Sequence, residues 1–264
     1  MKDSVSAEQI EAYRRDGFLV IDGFLDPSEL EDWRHQVDEA VAQRLGSANQ
    51  GLHNQADPDS YYAKVFTQCL KLADTHEGMR RLMHDPRLGK LAGTLAGVDG
   101  IRIWHDQALI KPPFGNPTGW HLDNPYWSFT SPGSISLWVA LDDATQANGC
   151  MWYLPGTHRL ASERNAGIDE DISGLLRMYP SWREIEPACA ACSAGSAVLH
   201  SGWVAHGAGA NMTNRQRRAM TCAYMPDGST FNGNKNVLPD DYFSSLKIGD
   251  WLDDPVVNPL IWHA

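Results

Sequence analysis

The chain has no apolar run near the roughly 18 residues that a membrane-spanning helix needs. Its 264 residues also contain no internal repeat and no low-complexity tract. Basic residues are the scarcer charge: 22 Lys and Arg against 33 Asp and Glu leave a net charge of −11. No basic block is longer than a pair such as Arg80-Arg81 or Arg217-Arg218. A nucleic-acid groove needs a basic stripe to neutralise phosphates, so that class of partner is not expected. A small anion held by one or two buried cations stays open. The opening residues, Met1-Lys2-Asp3-Ser4, form no apolar leader core, which leads to the expectation of a cytoplasmic protein without a membrane partner. Cysteines are few and odd in number, five at positions 69, 150, 189, 192 and 222, and are read as reduced thiols. Cys189 and Cys192 form a C-x-x-C, but no second pair or flanking His completes a tetrahedral zinc site. They read as small residues in a strand-and-turn region.

What is present is ordinary for a globular protein, with 42% hydrophobic and 21% charged residues, enough for one large domain or two small ones. Tryptophan is the exception at 10 copies, several between 104 and 152, where large rings can line a deep pocket or fill a core. Ser6-Ala7-Glu8-Gln9 predicts a helix cap, Asp16-Gly17 a stop, and Phe18–Ile21 a short strand. Pro27 opens a second helix with an apolar stripe through Leu30, Trp33, Val37 and Val41 to about Leu45. A polar loop from Gly46 to Asp59 follows, then a helical region from Tyr62 to Leu72. A further helix from His76 to Leu95 is broken at Asp85-Pro86. After Gly97 the pattern changes to short strands at 101–104, 108–110, 135–141, 151–154, 197–199 and 220–224, punctuated by Gly, Pro, Asn and Asp. Many short strands with such turns predict an antiparallel sandwich rather than alternating β-α units. The expected fold is mainly β with flanking helices: a jelly-roll, cupin-like double-stranded β-helix core with a helical N-terminal part. One domain is expected over 1–264, with helical support at 1–97, the core at 98–225 with an insertion near 160–187, and a tail at 226–264.

The stretch that carries chemistry is Trp120-His121-Leu122-Asp123. On an extended segment a His and an Asp two apart share a face and offer adjacent corners of a metal shell. With a second His they make the two-His-one-carboxylate triad of non-heme Fe(II) oxygenases, which leaves the opposite face open for a co-substrate and O2. Four downstream His compete for that place: His158, His200, His206 and His263. His263 sits at the terminus, and His158 follows a turn where capping the backbone is the plainer role. Parity does not separate His200 from His206. A bidentate 2-oxo acid on such an iron needs a cation for its far carboxylate, and the planar fork of Arg suits it. Arg217 shares a strand face with Ala219 and Thr221 and lies eleven residues after His206, with Arg215 and Arg218 as alternatives.

These residues resemble the phytanoyl-CoA dioxygenase family of Fe(II)/2-oxoglutarate-dependent oxygenases, which includes ectoine hydroxylase. The resemblance runs in the family's order from about residue 8 to 225. It rests on Asp16-Gly17-Phe18-Leu19-Val20, Lys111-Pro112-Pro113, Trp120-His121-Leu122-Asp123, Asn148-Gly149-Cys150, Leu154-Pro155-Gly156-Thr157-His158, His206-Gly207-Ala208-Gly209-Ala210-Asn211 and Arg217-Arg218-Ala219. It implies His121, Asp123 and His206 as the catalytic iron ligands and Arg217 as the residue for the distal carboxylate of 2-oxoglutarate. It further implies co-substrate contacts at Gln107, Trp138 and Lys64, and an aromatic wall at Trp127 with Tyr126 beside it. Ignoring the family, Gln107, Trp138 and Lys64 each read as structural. His105 and His53 read as satisfied or surface His, and His200 as either a partner that supports an iron ligand or a core His, with the core role favoured. Two comparisons qualify the match. Ala208 replaces a Ser found two after the distal His in some members. Asp123 keeps the carboxylate that halogenases lack.

The implied cofactors are Fe(II), with 2-oxoglutarate and O2 as co-substrates, and the implied reaction is hydroxylation of an unactivated C–H of a small organic molecule. Decarboxylation of 2-oxoglutarate to succinate and CO2 would accompany it. Three rivals are weighed: a cupin-like protein that binds a metal or small acid without turnover, an acyl-CoA hydroxylase, and an AlkB-like nucleic-acid demethylase. The complete constellation disfavours the first, the lack of a basic patch the second, and the charge of −11 the third. Substrate choice is expected in the loops at 46–60, 124–134 and 160–187 and in the tail.

Overall fold

The computed structural model describes residues 1–46 and 60–264. The polar loop expected after Gly46, with His53 in it, therefore lies outside the described residues. Helix α1, Ala7–Asp16, begins at a Ser6–Gln9 capping box and ends at Gly17. Strand β1 (Phe18–Ile21) follows, then α2 (Pro27–Gly46), which buries Trp33, Val37, Ala40 and Val41. The helix read over Tyr62–Leu72 is instead a 3₁₀ turn, Tyr62–Lys64, and strand β2, Thr67–Leu70. Pairing of Thr67–Leu70 with residues 107–110 of the next strand overrides the local pattern. Helices α3 (Glu77–Met83) and α4 (Pro86–Ala96) are separated by Asp85, which caps α4 by accepting from the Arg87 N–H at 2.9 Å.

The segments at 101–104 and 108–110 form one 12-residue strand, β3, Gly100–Lys111. The remaining strands are β4 (Thr118–His121), β5 (Ile135–Ala140), β6 (Met151–Tyr153), β7 (Ala188–Ala190), β8 (Ala197–Ser201), β9 (His206–Ala208), β10 (Arg217–Pro226) and β11 (Leu260–His263). Among the described residues they make two antiparallel sheets: a seven-stranded one in the order β1-β8-β5-β10-β3-β11, with β2 also on β3, and a four-stranded one in the order β4-β9-β6-β7. This is the expected jelly roll. The insertion carries α5, Gly174–Met178, and the tail carries α6, Asp240–Ser245.

The two flanks do more than cover the core. Strands β1, β2 and β11 come from outside 98–225, and all join the large sheet. Strand β2 pairs with the second half of β3 and β11 with its first residues, so the flanks divide that edge between them. Across α4, Trp262 of β11 lies where side chains at Gly89 and Gly93 would stand. Replacing Gly93 by Ala removes helix-interior glycine, a gain of up to ~1 kcal/mol. The new Cβ would overlap the Trp262 ring, and overpacking of this kind costs about 1–3 kcal/mol. Gly93→Ala is therefore expected to lower the urea midpoint, and Gly93→Ala with Trp262→Leu to recover it.

Candidate metal centre

Strands β4 and β9 place His121 directly opposite His206. The two rings lie 4.2 Å apart between centroids. Each imidazole is fixed by its Nδ1, which donates to a backbone carbonyl two residues earlier: Gly119 at 2.8 Å and Val204 at 3.0 Å. That choice of tautomer leaves both Nε2 lone pairs free to ligate. Burial pushes both imidazoles down to about 4, so they are neutral at physiological pH. Asp123 does not lie on the strand. Strand β4 ends at His121, and Asp123 stands in αR conformation at the entrance of a 3₁₀ turn. The Gly202 carbonyl accepts from the N–H groups of Asp123 and Asn124, at 3.0 and 2.9 Å, and so fixes that turn.

The two carboxylate oxygens of Asp123 have different surroundings. Oδ1 lies 3.6 Å from the Nε2 of both His121 and His206. Oδ2 accepts from Ser136 Oγ at 2.9 Å and from His200 Nε2 at 3.2 Å. Burial would raise this carboxyl, but His206 and His121, which are charged only in acid, and the His200 hydrogen bond outweigh it and hold its titration below the usual carboxylate range. The ligand atoms of His121, Asp123 and His206 all lie within 4.8 Å of one another, the only such cluster of His, Cys, Asp and Glu among the described residues. Two imidazoles and one carboxylate suit Fe(II) with open coordination positions. The cysteines form no such cluster, although Cys150 and Cys189 approach to 3.5 Å.

His200, read from the sequence as a core residue, holds the carboxylate. Its Nδ1 meets the Tyr153 hydroxyl at 3.1 Å, and the Tyr153 ring stacks on Phe18 at 4.3 Å. His158 takes the backbone role foreseen for it, with Nε2 donating to the Arg14 carbonyl at 3.2 Å.

The triad borders a cavity of about 460 Å³ whose walls come from both sheets. Arg217, Gln107, Trp138, Trp127 and Tyr126 all line it. Arg217 is 1% exposed and lies over the Trp138 ring, its guanidinium carbon 5.2 Å from the ring centroid. Its Nη2 donates to the Gly149 carbonyl at 3.1 Å, while Nε and Nη1 are buried without a partner. Gly149 has φ +83°, a left-handed conformation that favours glycine. Burial lowers Arg217 only to about 10, so it stays charged. A buried cation with two donors unspent is a socket for a carboxylate. Arg218 is committed elsewhere, to Asp142 and Asp38.

Lys64 departs from the expectation. It ends the 3₁₀ turn with its side chain exposed and does not line the cavity, whereas Tyr62, Phe66 and Gln68 of the same segment do. The buried lysine near Arg217 is Lys111, whose ammonium donates to the Asn116 carbonyl at 2.6 Å. Burial, aided by Arg217, pushes it down to about 7. Gln107 is engaged by Gln68, whose amide donates to its side-chain oxygen. His105, read as a satisfied or surface His, is buried, lines the cavity and leaves Nδ1 without a partner. The signal that could have found it is its place two residues before Gln107 on the same strand.

A jelly roll with a two-His-one-carboxylate cluster beside a buried, unspent arginine defines the class of iron- and 2-oxoglutarate-dependent oxygenases. The model of the phytanoyl-CoA dioxygenase (PhyH) family matches residues 13–219, and the chain belongs to that family. A methylphosphonate hydroxylase of Gimesia maris is 24% identical over 227 residues, 85% of this chain and 82% of that one. A phytanoyl-CoA dioxygenase domain-containing protein of Bos taurus is 26% identical over 89% of this chain and 94% of its own. Among solved structures, the non-heme α-ketoglutarate-dependent carbocyclase SnoK from nogalamycin biosynthesis superposes with a TM-score of 0.79. It is 25% identical, over 98% of this chain and 97% of its own.

The hydrogen bond to Asp123 gives a test. Partners that orient ligands typically carry about 10–100-fold in metal affinity. His200→Phe is expected to weaken Co(II) binding by that factor in a titration of the cobalt absorption bands. His200→Gln, which keeps a donor, should lie nearer to wild type.

Proposed function

We propose that the chain oxidises, by hydroxylation, an unactivated C–H bond of a small organic molecule with Fe(II), 2-oxoglutarate and O2. In this reading His121, Asp123 and His206 hold the iron through Nε2, a carboxylate oxygen and Nε2. The iron and 2-oxoglutarate, when bound, supply O2 activation coupled to decarboxylation. The protein's own part is placement. Arg217 turns Nε and Nη1 to the far carboxylate of 2-oxoglutarate, and Trp138 and Gln107 flank it. Tyr126 and Trp127 wall the side where substrate would enter and keep water from the reacting centre. The observation that carries the reading is the sharing of one cavity by the triad and by Arg217 with two unspent donors.

We further read the 264 residues as a single oxygenase unit, since strands from both flanks complete the large sheet. Among the described residues no helix is long and apolar enough to cross a membrane.

The test is an anaerobic titration with Fe(II) and 2-oxoglutarate, following the weak visible charge-transfer band of a chelated 2-oxo acid. Wild type should show the band, and His206→Ala should lose it. Arg217→Ala should weaken 2-oxoglutarate binding by about 30-fold or more, because truncating one partner of a buried charge pair costs ~2–5 kcal/mol. Succinate formation that requires O2 should accompany the band. An iron-loaded wild type without it would hand the site to a protein that binds without turnover.

A further inference from the structure

Apart from Arg217, two described residues that line the cavity carry a buried polar atom without a partner, His105 at Nδ1 and Thr118 at its hydroxyl. His121, Asp123 and His206 face one another, and Ser136 and His200 hold Asp123. Arg217 is the socket for an anion. Gln107 is engaged by Gln68, which also accepts from the Tyr62 hydroxyl at 3.1 Å, and the Tyr126 hydroxyl donates to the Ala166 carbonyl at 2.6 Å. The His105 Nδ1 is buried without a hydrogen-bond partner among the described residues. His105 lines the cavity and also a second pocket beside Lys71, Trp104 and Asp106.

The backbone shows that this position is built. Between β3 and β10 the register slips: Ala223 faces His105, but Tyr224 faces Ile103, and Trp104 is the extra residue of a β-bulge. Trp104 and His105 are therefore turned toward the same side. There Trp104 meets Phe129 edge-on at 5.4 Å, Trp127 stacks on Phe129 at 5.4 Å, and His105 stands at 88° to Trp127. Burial holds the imidazole at about 4, hence neutral, with one donor and one acceptor.

We propose that His105 and the neighbouring Trp127 select the primary substrate: a neutral, flat, aromatic or conjugated molecule with a hydroxyl or carbonyl group hydrogen-bonded to the His105 imidazole. This rests on the oxygenase reading above and names the substrate class for that same cavity. A neutral imidazole exchanges a hydrogen bond with a hydroxyl or carbonyl but brings no charge to balance a phosphate. Aromatic walls favour a flat ligand. Arg217 is the only Lys or Arg that lines the cavity among the described residues, and it is taken by 2-oxoglutarate. The rim adds negative charge, since Asp169 and Glu170 follow the lining residue Ile168 and both are exposed. An acyl-CoA ester would bring its phosphates to this rim.

The test uses protein loaded with Co(II) and 2-oxoglutarate, which takes ligand without turnover, and equilibrium dialysis with 1-naphthol, naphthalene and octanoyl-CoA. Wild type should hold 1-naphthol about tenfold more tightly than naphthalene, the size of one hydrogen bond. Octanoyl-CoA should bind more weakly than either. In His105→Phe the naphthol preference should vanish while naphthalene still binds, and His105→Gln should restore part of it. Both variants should keep wild-type affinity for 2-oxoglutarate, which also reports that they fold. An unchanged preference in His105→Phe would overturn the proposal. So would tighter binding of octanoyl-CoA, or no binding of 1-naphthol at millimolar concentration. Wild type that takes up neither Co(II) nor 2-oxoglutarate would instead sink the oxygenase reading itself.

Discussion

The structure depends on keeping one carboxylate ionised where water is scarce. A lone buried carboxylate would take up a proton rather than bear its desolvation. Asp123 avoids this because its two oxygens are treated differently: Ser136 and His200 donate to Oδ2, while Oδ1 is left facing the two Nε2 atoms. The donors come from strands β5 and β8 of the large sheet, whereas His121 and His206 belong to the small one. The carboxylate is therefore the point at which the two sheets are fitted to each other. Its hydrogen bonds reach outward through Tyr153 to the stacked Phe18 of β1, so the N-terminal strand takes part in setting the angle of a group it never touches.

The same economy governs the positive end of the cavity. Two cations are buried there side by side in the β3–β10 register, Lys111 and Arg217. Burial acts on both, but a lysine yields its proton readily and a guanidinium does not. Lys111, pushed down to about 7, spends its amine on the Asn116 carbonyl, while Arg217 keeps its charge and two free donors. This division explains why an arginine, with its planar fork, stands where a dicarboxylic co-substrate would end.

Much of this was legible in the chain, though unevenly. The strands of the core were readable because they are apolar runs bounded by Gly, Pro and Asn, and the break at Asp85-Pro86 because proline cannot continue a helix. His121 and Asp123 announced themselves by spacing, even though the strand stops short of Asp123. The partner was a different matter. Spacing left His200 and His206 equal, and only the register that sets His206 opposite His121 separates them physically, while His200 turns to the other carboxylate oxygen. Strand β2 was misread because pairing with β3 decided what Thr67–Leu70 became. Lys64 was misplaced for a related reason: the 3₁₀ turn points Tyr62 inward and leaves Lys64 outside. His105 stands two residues before Gln107 and shares its cavity face, so the two-residue period could have placed it there; the bulge at Trp104 lies just before it.

That bulge has a structural cause within the sheet. An extra residue is hard to fit into a strand hydrogen-bonded along both edges, and bulges gather where an edge is free. Strand β3 is held by β10 along its length, but on its other side β2 reaches only residues 107–110 and β11 only residues 100–102. The unpaired stretch between them contains Trp104 and His105. Two flanking segments, one from each end of the chain, thus leave a gap of the size a bulge needs, at the place where the strand passes the cavity. The flanks shape the substrate side by where they stop pairing, as much as by what they cover.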